Sequence, residues 1–293
     1  MSAAQHWILA ARPKTLPAGA TPVVLSAALA WERGLFHGPS MLCALMGALL
    51  IQVGTNFAND YFDFIKGTDT EERVGPTRAT QAGLVQPRTM LIATILIFLL
   101  TFLPGGYLIY RGGWPILVIG LVSIACGVLY TGGPFPLGYL GLGDLFVLIF
   151  FGPVAVGGAY YVQAGSVDAL VLILGLAPGL FSTAILSINN LRDADGDART
   201  GKRTLAVRFG KPFARFEYLA CLLIASLVIP LYACLSTGGH WPALASALVL
   251  VAAAPAIRDV LRGLEGAPLN DTLAKTGKQL VIFTVLFCVG WLL

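Results

Sequence analysis

Long apolar runs separated by short polar breaks dominate the chain. Runs of the length that crosses a bilayer as a helix, roughly 17 to 25 residues, fall near 16–32, 41–62, 89–110, 114–130, 143–163, 168–190, 213–236, 241–257 and 279–293. The pattern predicts nine transmembrane helices and an all-α polytopic membrane protein. Two of the runs end unusually. Near 56–69 and again near 189–204, apolar helix gives way to amides and carboxylates, and polar groups at such places need a reason.

Composition supports the membrane reading. Hydrophobic residues make up 57% of the chain and charged residues only 12%, whereas soluble globular domains carry about 25% charged residues. The five cysteines (Cys43, Cys126, Cys221, Cys234, Cys288) sit singly inside apolar runs, with no paired spacing, and read as small core residues. The three histidines are far apart and form no metal motif. The N-terminus runs through Arg12, Pro13 and Lys14 straight into a full-length apolar segment, so a cleavable signal peptide is not expected. A net charge of +4 says little about nucleic acid, which is not expected as a partner.

The distribution of charge says more. With nine crossings, 17 of the 19 lysines and arginines fall on the side of the N-terminus, leaving only Arg33 and Arg111 on the other. By the positive-inside rule the N-terminus and the acidic stretches are expected to be cytoplasmic and the C-terminus outside. Trp31, Trp114, Trp241 and Trp291 fall at the opposite helix ends, as an interfacial aromatic belt would. Residues 7–17 read as a short interfacial helix leading into the first span. The placement of the acidic stretches suggests one domain, 1–293, made of halves 15–130 and 143–257 with a last helix at 279–293, around a central cavity opening to the cytoplasm.

On a helix, Asn56, Asp60 and Asp63 stand at i, i+4 and i+7, on one stripe. Asn189, Asp193 and Asp197 repeat the idea at i, i+4 and i+8. Carboxylates so close repel unless a cation lies between them. Oxygen donors with no histidine or cysteine nearby suit a hard ion such as Mg²⁺, which takes one or two carboxylates plus substrate phosphates. Basic residues follow each motif: Lys66, Arg73 and Arg78 after the first, Arg199, Lys202 and Arg203 after the second. Carboxylates for a metal and cations for phosphate oxygens are the parts of a diphosphate site.

Blander readings compete. One acidic motif is explained by solvation at a helix end, but two on one face, holding eight of the fifteen acidic residues with their flanks, are not. Any single loop cation is as readily a topology determinant as a ligand, and of these Lys66, Arg78, Lys202 and Arg203 flank the acids most closely. Arg12 and Lys14 meet an anionic acceptor or merely anchor the first helix. Tyr139 and Asp144 line an acceptor pocket, or Asp144 simply favours a helix N-terminus. A transporter would also place carboxylates at helix breaks, though usually near the bilayer midplane.

The two motifs resemble the aspartate-rich signatures of the UbiA superfamily of intramembrane prenyltransferases. Residues 11–17, 56–70, 75–84, 130–144 and 189–210 look like its menaquinone branch, which prenylates 1,4-dihydroxy-2-naphthoate. In the superfamily pattern Asn-Asp-x-x-Asp-x-x-x-Asp, this chain supplies Asn59, Asp60 and Asp63, has Gly67 at the third aspartate position and Asp69 two residues later. Asp193 and Asp197 meet the second pattern, Asp-x-x-x-Asp. The resemblance implies a polyprenyl diphosphate donor, Mg²⁺ held by Asp60, Asp63, Asp193 and Asp197, and diphosphate contacts from Asn56, Asn59, Lys66, Arg78, Asn189, Lys202 and Arg203. It also implies an aromatic acceptor, 1,4-dihydroxy-2-naphthoate, prenylated with loss of carbon dioxide at a bacterial inner membrane. A different acceptor, 4-hydroxybenzoate or homogentisate, is the main competitor within the enzyme class.

Overall fold

A computed structural model describes residues 2–68 and 74–293, and its regular elements are all helical. Asp69, Glu71, Glu72 and Arg73 lie outside the described residues. In chain order the α-helices are α1 (Ala3–Ala11), α2 (Leu16–Glu32), α3 (Gly38–Ile65), α4 (Pro87–Leu100), α5 (Phe102–Gly112), α6 (Trp114–Leu129), α7 (Gly143–Ile149), α8 (Ala155–Ala164), α9 (Ala169–Arg199), α10 (Leu205–Phe209), α11 (Lys211–Leu223), α12 (Ile229–Thr237), α13 (Val249–Leu261) and α14 (Leu269–Leu292).

Several of these join into single spans. Among the described residues, seven helical segments are long and apolar enough to cross a membrane: Gly38–Ile65, Pro87–Gly112, Gly143–Ala164, Ala169–Arg199, Lys211–Thr237, Trp241–Leu261 and Leu269–Leu292. The first and fourth spans expected from sequence are the shorter helices α2, with 17 residues, and α6, with 16. The last span starts ten residues earlier than the apolar run at 279–293, because polar residues of 269–278 extend α14 and hold its first turns against the bundle.

The long helix α9 is the hub, packing against α2, α7, α8, α11, α12 and α14. Its N-terminus is fixed by the Asp168 carboxylate, which accepts from the Val171 N–H at 3.0 Å. A glycine pair on α9 allows its closest crossing. A Cβ at Gly175 would stand 3.1 Å from the Cα of Pro153, and one at Gly179 would meet the Leu148 carbonyl and the Cα of Gly152. Only small residues let backbones approach so closely. Opposite them, Pro153 lacks an N–H and Gly152 takes a non-helical conformation, so the Gly143–Ala164 segment bends in a π-helical turn between α7 and α8.

The largest core runs through α2, α8, α9 and α11 to α14. The last helix is therefore central: Phe283 packs on Phe181 with ring centroids 5.0 Å apart, and Phe287 and Trp291 continue the row. This corrects the aromatic-belt expectation for Trp291. Trp31, Trp114 and Trp241 are 61%, 75% and 49% exposed, but Trp291 is 2% exposed, stacked on the His240 ring at 4.0 Å because α14 presses onto the turn beginning at Trp241.

A smaller core gathers Trp7 and Ala10 of α1, Phe57 of α3, Ala79 and Val85 of the following loop, and Met90 of α4. The described part of that loop is thus packed. α1 is closed by a capping box between Ser2 and Gln5 and ends at Arg12, whose positive φ of 50° turns the chain into α2.

Candidate active site

The polar end of α3 is joined by the loop that follows the polar end of α9. α3 stays helical through Ile65, so Asn56, Asp60 and Asp63 do share a buried face. α9 runs on to Arg199, carrying Asn189, Asp193 and Asp197 past the apolar part of the helix. The loop after α9 then crosses to α3: Lys202 Nζ lies 3.3 Å from Asp63 Oδ1, and the Arg203 backbone N–H donates to the Tyr139 carbonyl at 2.9 Å.

Asp63 is the centre of this convergence. Its carboxylate also accepts from Arg78 Nη2 at 2.9 Å, the Tyr139 hydroxyl at 2.8 Å and Thr68 Oγ1 at 3.2 Å. The Tyr139 ring is flanked by two ammonium groups, Lys66 at 4.9 Å and Lys202 at 4.7 Å from its centroid. Lys66 also donates to the Gly133 carbonyl at 3.1 Å. Partial burial and the like charge of Lys202 outweigh the pull of Asp63 and hold the Lys66 ammonium below the usual lysine range. Tyr139, an acceptor-pocket candidate from sequence, is thereby placed among the charged groups.

Asp60 has a different job in this conformation. Its two oxygens accept from the backbone N–H groups of Ala79 and Thr80, each at 3.0 Å, which ties the loop carrying Arg78 over the end of α3. Asn56 is similarly engaged, donating to the Ala11 carbonyl at 2.9 Å and Thr15 Oγ1 at 3.0 Å, so it braces the turn from α1 to α2. Asn59 accepts from Thr131 at 2.9 Å.

The second motif is organised by a residue that its spacing did not single out. The buried Arg192 guanidinium donates to both Asp193 oxygens, at 2.8 and 2.6 Å, to Asn189 Oδ1 at 2.8 Å and to Asn270 Oδ1 on α14 at 2.8 Å. Asn270 in turn donates to the Val74 carbonyl at 3.1 Å, linking α14 to the loop after α3. The available signal was an arginine beside Asp193 and three residues after Asn189, which puts it within reach of both on a helix.

Tyr130 was also missed. It caps the end of α6, and its hydroxyl reaches α7, where a Cβ at Gly143 would stand 2.8 Å from it. Tyr130, Gln52 and Thr55 close one end of an apolar cavity of about 260 Å³, whose walls include Val23, Ile51, Leu108, Phe146 and Phe150. The lining runs from Ala18 on α2 to Val162 on α8, so the cavity lies between α2 to α6 and the segment of α7 and α8 that follows them.

Other candidates stand apart. Asp144 is buried against α9, where Asn190 Nδ2 approaches it at 3.5 Å, and does not line the cavity. Lys14 is exposed and acts on Asp271 at the start of α14. The Arg203 side chain is exposed; its backbone makes the contact.

The donor set fits a hard divalent ion. It is oxygen-only, and although no three acidic, histidine or cysteine groups among the described residues converge enough to cage a metal, Mg²⁺ needs one or two carboxylates when phosphates complete the shell. Asp60, with one hydrogen bond to each oxygen, keeps lone pairs for a ligand, whereas Asp63 Oδ1 already accepts three hydrogen bonds and would exchange some of them for a ligand.

Residues 20–268 match the model of the UbiA prenyltransferase family. The chain belongs to this family. A 1,4-dihydroxy-2-naphthoate octaprenyltransferase of Escherichia coli is 38% identical over 99% of this chain and 96% of its own length. Among solved structures, an apo UbiA homolog from Aeropyrum pernix superposes with a TM-score of 0.71 at 17% identity, over 93% of this chain and 97% of that one. A UbiA homolog from Archaeoglobus fulgidus bound to GPP and Mg²⁺ superposes with a TM-score of 0.62 at 13% identity, over 98% of this chain and all of that one. At these identities the two structures speak to the UbiA fold.

Proposed function

We infer that this UbiA-family protein transfers a polyprenyl group from a polyprenyl diphosphate to 1,4-dihydroxy-2-naphthoate, with loss of carbon dioxide, to give demethylmenaquinone in its reduced form. The observation that carries the reading is the meeting of Asp63 and Lys202, about two helical turns of α3 beyond the Thr55 that lines an apolar cavity, in a chain whose E. coli relative has that activity in its name. The protein is read as a bacterial inner-membrane enzyme with nine crossings and its active site toward the cytoplasm, on the strength of its lysine and arginine distribution.

The reaction follows from the groups present. Lys66, Arg78 and Lys202 are placed to meet diphosphate oxygens, with Asp63 and Tyr139 holding those cations in register. Bound Mg²⁺ supplies charge that stabilises the leaving diphosphate, and Asp60, Asp63, Asp193 and Asp197 are the residues that would hold it. The allylic carbon–oxygen bond breaks with both electrons leaving on diphosphate. The cavity below Tyr130 takes the apolar tail and keeps water from the allylic cation. The electron-rich naphthoate ring attacks that cation, and the carboxylate departs as carbon dioxide.

The test is product formation by purified protein in nanodiscs, from octaprenyl diphosphate and 1,4-dihydroxy-2-naphthoate. Metal-dependent product with carbon dioxide release, lost in Asp63→Ala and Asp197→Ala, is expected. Release of diphosphate without naphthoate product sinks the acceptor assignment, with 4-hydroxybenzoate and homogentisate as the next acceptors to try.

A further inference from the structure

Lys202 is tied to both acidic motifs. Its backbone N–H donates to the Asp197 carbonyl at 2.9 Å, and its ammonium lies 3.3 Å from Asp63 Oδ1. The N–H of the next residue, Arg203, donates to the Tyr139 carbonyl at 2.9 Å. The main chain is therefore pinned on both sides of the Lys202 side chain, and that side chain is the part left to move.

Its hold on Asp63 is the weaker of the two cationic contacts there. Arg78 Nη2 is 2.9 Å from Asp63 Oδ2, and its loop is held by the Asp60 carboxylate through Ala79 and Thr80. The Lys202 ammonium stands farther off than the roughly 2.7 to 2.9 Å usual for a charge-assisted hydrogen bond, on a flexible four-carbon stem. Its side chain is 15% exposed against 8% for Arg78. An ammonium that leaves Asp63 also keeps a partner, the face of the Tyr139 ring 4.7 Å away.

Charge makes that departure conditional. The Asp63 side chain is 2% exposed, so its interactions are little screened. Asp60 and Asp63 bring two negative charges to this place, and Lys66, Arg78 and Lys202 bring three positive ones. A divalent cation added alone raises the positive excess and competes with the Lys202 ammonium for the Asp63 carboxylate. Among the described residues, no three acidic, histidine or cysteine side chains converge to hold a metal by themselves. A diphosphate reverses the balance. Its oxygens offset the excess charge, complete the shell of a hard cation, and give Lys202 a strong anionic partner in place of the one it leaves.

Building on the prenyl-transfer reading, we propose that Lys202 is the built-in counter-ion of Asp63 and yields its place to the metal only when a diphosphate enters. Lys202 thereby keeps bare divalent cations off the first motif and makes metal and diphosphate bind together. No covalent bond changes in this exchange: the ammonium passes from a carboxylate oxygen to a phosphate oxygen.

The experiment is equilibrium dialysis of Mn²⁺ against protein in neutral-lipid nanodiscs, with and without inorganic diphosphate. Wild-type protein is expected to bind Mn²⁺ about tenfold or more tightly when diphosphate is present. Equal affinity in the two conditions overturns the proposal, and this measurement depends on no variant folding. Without diphosphate, Lys202→Met should bind Mn²⁺ about tenfold more tightly than wild type, with a correspondingly smaller gain on adding diphosphate. Lys202→Arg, which keeps the charge, should stay near wild type, and adding Asp63→Asn to Lys202→Met should abolish the tightening. Unchanged or weaker Mn²⁺ binding by Lys202→Met, or tightening that survives Asp63→Asn, overturns the exchange. Full coupling in a protein that forms no prenylated product contradicts the prenyl-transfer reading and leaves the exchange standing, whereas product formation with unchanged Mn²⁺ binding in Lys202→Met does the reverse.

Discussion

Lys202 and Asp63, 139 positions apart, lie 3.3 Å from each other, and this contact joins the loop after α9 to the end of α3. Around it, Arg78 and Tyr139 converge on the same carboxylate. Asp63 is therefore both a ligand candidate and the anchor of the cations that flank it.

Replacing Asp63 has two separable effects. Asp63→Ala leaves Arg78 buried without this partner, and breaking a buried ion pair costs about 3 to 5 kcal/mol. Thermal unfolding in detergent should show a clear loss of stability. Asp63→Asn keeps a hydrogen-bond acceptor and should unfold closer to wild type while transfer falls by about 10² or more, the size of effect seen when a key electrostatic group is removed.

Asp60 is expected to hold a loop as well as act in the site. Asp60→Ala removes both acceptors for the Ala79 and Thr80 N–H groups, at about 1 to 3 kcal/mol for each buried donor left unpaired. Limited proteolysis should cut within 74–86 faster in this variant, with Asp60→Asn intermediate. Equal cleavage rates in all three proteins would show that the loop is held elsewhere.

Arg192 ties Asn189, Asp193 and Asn270 together. Arg192→Lys keeps the charge but loses the planar fork, so the Mg²⁺ concentration for half-maximal transfer should rise several-fold, with a smaller rise in Asn270→Ala. A double-mutant cycle with Asp193→Asn should give a coupling well away from zero.

At the opposite end of the bundle, Arg33 pairs with Asp168 and donates to the Tyr160 hydroxyl at 3.0 Å. Burial pushes the Asp168 carboxyl up, but the Val171 N–H and Arg33 outweigh it and hold the group below its ordinary value. A folded pKa below the unfolded one adds stability that is present above about pH 3.9 and lost as pH falls through the folded value. Because Asp168 is half exposed, the gain is under about 1 kcal/mol. Asp168→Asn should flatten that part of the stability curve; an unchanged acid slope would assign it to other carboxylates.

Much was legible along the chain because it depends on local order. The apolar runs located the seven membrane-length helical segments found among the described residues, since a helix in lipid must be long and apolar, and the i, i+4 spacing correctly put Asn56, Asp60 and Asp63 on one face. The family was legible too, because its aspartate motifs are short and contiguous. What each side chain touches was not. Asp60 turned to backbone N–H groups of a loop 19 and 20 residues on, Asp193 to its neighbour Arg192, and Trp291 into the core, because each choice depends on which distant segment packs alongside. The apolar cavity that Tyr130 lines emerged only from three-dimensional packing, since a cavity is a property of the space between helices and has no residue pattern of its own.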